Sequence, residues 1–155
     1  MNMIKLNYLK KRLWIFVIGG FFLACDDEPE VTIIDTSMPQ GTFEVSATGT
    51  IVEQNETGTT GTVSMGTDSE GTRFLKFDND FMTNLGTGTV TVNLSTSMEY
   101  SPDLGAGNPD LLIIGPVRNN GEQYFKLDPA PDSKFDHVIF WCETAEIPFG
   151  YAALQ

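Results

Sequence analysis

Very few side chains in this chain can do chemistry. There are two cysteines, Cys25 and Cys142, and one histidine, His137. A nucleophilic site of the Ser-His-Asp or Cys-His kind needs an imidazole as its base, so it would use His137 or none. Cys142 lies five residues further on in the same apolar run, and side chains in a strand alternate between faces. In a regular strand His137 shares a face with Ile139 and Trp141, while Cys142 shares the other with Val138 and Phe140. The spacing therefore disfavours a Cys-His pair. His137 beside Asp136 reads as an exposed or capping residue at the start of the strand, and no catalytic residue is assigned.

Cys142 has two readings. As a structural residue it packs as a small hydrophobe in an apolar strand, where burial raises the thiol pKa and makes it inert. As a functional residue it needs an electropositive neighbour, a soft metal or a haem iron. The adjacent Glu143 and Glu146 have the wrong sign to stabilise a thiolate, so local sequence favours the structural reading.

Metal chemistry has little to work with. The chain has no Cys-x-x-Cys, no His-x-His and no Cys-x-x-Cys-His, so no metal site is expected. Asp78-Asn79-Asp80 and the pair Asp103 and Asp110 offer oxygen donors, yet neither matches a dedicated calcium loop. Solvated loop carboxylates are the simpler account. Gly86-x-Gly88 lacks the lysine and the helix of a phosphate loop.

The N-terminus predicts an address. Lys5, Lys10, Lys11 and Arg12 precede an apolar run from Leu13 to Ala24, the layout of a secretory signal peptide. The run is too short to span a bilayer, which takes roughly 20 residues. Small Ala24 before Cys25 fits the cleavage and lipidation point of a bacterial lipoprotein. Residues 1–24 are thus expected to be a lipoprotein signal peptide and 25–40 a lipidated, acidic tether. The membrane is then a partner through the lipid on Cys25. Asp26-Asp27-Glu28-Pro29-Glu30 resembles the tag that sends some lipoproteins to the cell surface, so the expected place is the outer membrane with the domain facing outward; the alternative is an ordinary solvated tether on a periplasmic domain.

Two further consequences follow from lipidation of Cys25. The chain has 9 Lys and Arg against 21 Asp and Glu; removing four bases with the signal leaves a net charge of −16. Such a surface repels nucleic acid, which is excluded as a partner. Lipid on Cys25 also leaves Cys142 without any possible disulfide partner in the chain.

The elements that must position Cys142 read as strands. Threonine and glycine are abundant, helical stripes are absent, and turn residues recur about every ten positions. Strands are predicted at 42–52, 60–65, 72–77, 88–94, 111–114, 123–127, 136–142 and 146–153. Val90, Val92 and Leu94 alternate with Thr91 and Asn93, predicting a sheet packed on one face and wet on the other. Val138-Ile139-Phe140-Trp141 is apolar on both faces and predicts a central strand. Turn signals separate them at 55–58, 66–71, 102–109, 119–121 and 129–132. The expected fold is all-β: a single antiparallel β-sandwich domain over 41–155.

The closing segment is more specific. Phe135-Asp136-His137-Val138-Ile139-Phe140-Trp141-Cys142, followed by Ile147-Pro148-Phe149-Gly150-Tyr151-Ala152-Ala153-Leu154, resembles the end of a DM13 domain. That family closes with a strand ending in Trp-Cys, a short turn, then an apolar-Phe-Gly-x-Ala-x-Leu strand. The segment from Leu111 to Leu127, with Gly121-x-Gln123 and Tyr124, is similar to its middle, and Gly41-Thr42-Phe43 with Arg73-Phe74-Leu75-Lys76-Phe77 fits its opening. The resemblance covers 41–154.

It implies a β-sandwich with a part in electron transfer or oxidative modification. The family's cysteine, here Cys142, would act as a free thiol or as ligand to a prosthetic group such as haem, with Met65, Met82 and Met98 as candidate second ligands. Two features depart from the family. Residues 44–52 contain no histidine, and Gly86-Thr87-Gly88-Thr89-Val90 stands where many members have Gly-Pro-Asp.

The expectation is a membrane-anchored redox accessory module acting through Cys142, rather than a stand-alone enzyme. The alternative is a non-catalytic binding or adhesion module in which Cys142 is core. A calcium-stabilised surface domain is a third reading.

Overall fold

The computed structural model describes residues 35, 37–101 and 107–155. The predicted signal peptide, Cys25 with the rest of the tether through 34 and residue 36, and Asp103 lie outside the described residues.

Among the described residues nine strands form, close to the predicted runs: β1 (Glu44–Thr50), β2 (Val52–Glu53), β3 (Thr62–Thr67), β4 (Arg73–Phe77), β5 (Val90–Ser95), β6 (Leu111–Pro116), β7 (Gln123–Leu127), β8 (His137–Cys142) and β9 (Ile147–Ala153). They make a four-stranded sheet in the order β1-β3-β4-β7 and a five-stranded sheet in the order β2-β9-β8-β5-β6. Every strand pairing is antiparallel. The fold is an all-β sandwich.

Alternation places the core. Val63, Met65, Leu75, Phe77 and Leu127 face inward from one sheet, and Val90, Val92, Leu94, Val138, Phe140, Cys142 and Ala152 from the other. The centre is aromatic. The Phe77 ring lies 4.4 Å from Phe81, 4.9 Å from Phe125 and 5.3 Å from Phe140. Offset and tilted pairs at such distances add to the area term of burial. Phe81 falls outside any predicted strand. It is pulled into the core by a turn in which its N–H donates to the Asp78 carbonyl.

The predicted strand 42–52 divides at Ile51. β1 pairs with β3 and β2 pairs with β9, in the opposite sheet. Ile51 itself drops into the core, and its N–H donates to the Gly61 carbonyl at 2.9 Å. The burial of one apolar side chain at the corner turns the chain from one sheet to the other. The crossing is tight: a Cβ on Gly49 would meet the Ala153 carbonyl oxygen at 2.6 Å. Thr48 and Gln155 exchange backbone hydrogen bonds at 2.9 and 3.0 Å beside it.

β8 is the central strand of its sheet, as its two-sided apolar sequence predicts. The outer face of β5 differs from expectation. Asn93, Ser95 and the neighbouring Ile139 are buried rather than wet. The segment after β5 returns over this face, and the Tyr100 ring lies flat on Trp141, 3.9 Å away and 9° from parallel.

Candidate functional site

Cys142 ends β8 and stands opposite Val90, the first residue of β5. That register brings the residues before β5 alongside the turn after β8. Gly88, with φ of 66°, bends the chain into β5, a left-handed conformation suited to glycine. On the other side, Glu146 N–H donates to the Cys142 carbonyl at 2.9 Å and Glu143 N–H to the Thr89 carbonyl at 3.1 Å.

The sulfur therefore sits between two threonines and a turn. Cys142 has no accessible surface, and it is the free cysteine of the described residues. Its Sγ lies 3.4 Å from Thr87 Oγ1 and 3.5 Å from Thr89 Oγ1. Thr89 Oγ1 in turn donates to Thr144 Oγ1 at 2.9 Å and accepts from Thr144 N–H at 3.2 Å. Thr144 is exposed, so the buried thiol lies close beneath the molecular surface.

Burial acts to push the Cys142 thiol up. Hydrogen bonding with the Thr87 and Thr89 hydroxyls, and with the amides of Ala145 and Thr144, outweighs it and holds the thiol below its ordinary value. Donors aimed at the charged form favour that form. The acidic neighbours that argue against a thiolate in the sequence turn away. Glu143 and Glu146 are exposed, and Glu143 accepts from the Thr91 hydroxyl at 3.3 Å.

His137 is at the far end of β8, opposite Ser95. Five residues at about 3.3 Å each put it some 16 Å from Cys142, on the other face of the sheet. The two do not form a pair, as their spacing predicts. The imidazole is half-buried rather than exposed, and its Nδ1 lies 2.6 Å from Asp136 Oδ1.

The carboxylates considered for calcium serve local structure. Asp78 takes Lys76 Nζ at 2.7 Å, Asp80 accepts from the Thr62 N–H and hydroxyl at 3.0 and 2.9 Å, and Asp110 lies 3.4 Å from Lys134. Among the described residues no three His, Cys, Asp or Glu side chains converge on a metal position.

A haem does not fit at Cys142. Iron needs an open approach to the sulfur, yet this one has no accessible surface and is enclosed by hydroxyls and amides. Of the candidate second ligands, Met65 is buried in the core, while Met82 and Met98 are exposed.

A family model described as electron transfer DM13 matches residues 50–154. The chain belongs to the DM13 family. The match takes in β2 through β9, so the Thr87, Thr89 and Cys142 cluster lies wholly inside the DM13 domain. No curated protein and no solved structure matches the chain.

Sequence reasoning about this DM13 domain found Cys142 but missed Thr87 and Thr89. The signal was present as two hydroxyl residues flanking Gly88 just before the strand that pairs with the Trp-Cys segment.

Proposed function

We propose that this DM13 domain is a redox accessory module at the cell envelope, with the Cys142 thiol as the group that changes state. The observation that carries the reading is a fully buried sulfur surrounded by two hydroxyls and two backbone amides. A cysteine that only filled the core would need none of them. The amides donate to the sulfur and favour the thiolate, which is the nucleophilic and readily oxidised form of cysteine. The family's electron-transfer description supports the same reading. A lipid on Cys25 would hold the module at the outer membrane, where its acidic surface leaves nucleic acid out of account as a partner.

The test uses the full chain in detergent. The thiol is titrated in the folded protein across pH and its redox midpoint is measured, with Cys142→Ser as reference. Expected is a folded-state thiol that titrates below the ordinary cysteine range and a reversible signal lost in Cys142→Ser. A thiol that reacts only after denaturation would end the proposal.

The complete burial of Cys142 favours a second reading, a non-catalytic module in which the residue is core. Cys142→Ala would then lower the melting temperature, at a cost of about 1–3 kcal/mol, and leave the cellular phenotype unchanged.

A further inference from the structure

A groove of about 480 Å³ runs over the outer face of the five-stranded sheet near its β2 edge, and the only histidine of the chain lines it. Val52, Tyr151 and Ala153 form part of its walls together with Met98. Ser95 stands opposite His137 in the β5–β8 register. The chain turns back after β5, so Met98, three residues later, comes to the same groove. Met98 is 52% exposed, an apolar side chain left largely outside the core.

The imidazole is oriented from behind. Asp136 lines a different cavity, at the end of the sandwich, and its Oδ1 lies 2.6 Å from His137 Nδ1. With Nδ1 engaged there, Nε2 is the ring nitrogen left for the groove. A carboxylate on one nitrogen that fixes the orientation of the ring is the usual support of a metal-binding histidine.

We propose that His137 and Met98 bind a copper(I) ion in this groove, with Asp136 as the positioning residue. The donor set selects the metal. A thioether is a soft ligand that favours copper(I), and imidazole suits copper as well. Zinc takes four nitrogen, sulfur or carboxylate ligands, and calcium takes six to eight oxygens; the groove supplies neither set. This site stands apart from Cys142 in both face and strand end, so it does not depend on the redox reading of the thiol.

The test is an anaerobic titration of the full chain in detergent with copper(I) against a chromophoric copper(I) chelator. One equivalent is expected to bind, with X-ray absorption showing both nitrogen and sulfur neighbours. Met98→Leu and His137→Ala should each weaken binding by more than tenfold, and Asp136→Asn by about tenfold. Met82→Leu, an equally exposed methionine outside the groove, should change nothing. Met98→Leu conserves volume at an exposed position, so it carries the test even if His137→Ala fails to fold. Absence of binding overturns the proposal. So does binding that survives both Met98→Leu and His137→Ala, or binding that only Cys142→Ser abolishes.

Discussion

Val90 and Cys142 face each other across the β5–β8 ladder, and this pairing brings Thr87 and Thr89 to the sulfur. The thiol environment is thus built by strand register rather than by a cluster of charged side chains. Its tuning rests on two hydroxyls that a small substitution can remove.

Thr87→Val and Thr89→Val each delete one hydroxyl at nearly constant volume. Each should raise the Cys142 pKa, and the double variant should raise it further, because burial then acts against the Ala145 and Thr144 amides alone. The pH dependence of thiolate absorbance in the folded protein reads the shift. An unmoved midpoint would remove the hydroxyls from the account.

The same depression couples the thiol to folding. Its folded pKa lies below its unfolded one, so the stability it contributes is fully present above the unfolded value. That contribution is lost as pH falls through the folded value. The difference in urea midpoint between the native chain and Cys142→Ser should therefore grow in the native chain's favour from neutral to alkaline pH.

Asp68 holds the segment that leads into β1. Its carboxylate accepts from the amides of Gln40 at 2.9 Å, Glu70 at 3.0 Å and Thr72 at 2.8 Å. The Gln40 amide is the main cause of a lowered pKa; burial opposes it, and the Thr72 and Glu70 amides and Lys126 assist. The stabilisation is present above the unfolded carboxylate value of about 3.9 and lost as pH falls through the folded one. Hydrogen exchange at the Gln40 and Thr72 amides should accelerate as pH falls below the ordinary carboxylate range. Asp68→Asn should produce the same acceleration at neutral pH.

Gly49→Ala tests the corner where the sheets meet. A methyl group there meets backbone rather than a movable side chain, so β1 must shift away from β9. The expected cost is about 1–3 kcal/mol, measured by chemical denaturation. A neutral result would mean that the corner is looser than its contacts indicate.

Cys25→Ala tests the anchor. The variant should leave the membrane fraction and lose incorporation of labelled fatty acid, while the folded domain keeps its melting temperature. Retention in the membrane would remove the lipid from the account.

Much of the fold was legible because alternation and turn residues are local signals. Val138-Ile139-Phe140-Trp141 marks a central strand, and the 119–121 turn separates β6 from β7. What was not legible depends on contacts distant in sequence. Ile51 looks like one more strand residue until the second sheet is there to receive it. Asn93 looks solvated until Tyr100 and its segment fold back over the sheet. At the candidate site Cys142 stood out, yet its neighbours did not, since Thr87 lies 55 residues away. The adjacent glutamates, the only local clue, gave the wrong sign because their side chains point to solvent.

The corner at Ile51 has a mechanical consequence. β1 is zipped to β3 in one sheet, exchanges backbone bonds with the last residue of the domain, and continues into β2 in the other sheet. A pull on the chain ahead of Asp35 first strains the contacts of Gln40 and Thr42 with Asp68 and Ser69. Only then does it reach β1, which passes the load to both layers at once and resists their sliding apart. The β5–β8 ladder around Cys142 lies beyond the β2–β9 and β9–β8 ladders, so a tug on the leading end would be spread over those before it disturbed the sulfur.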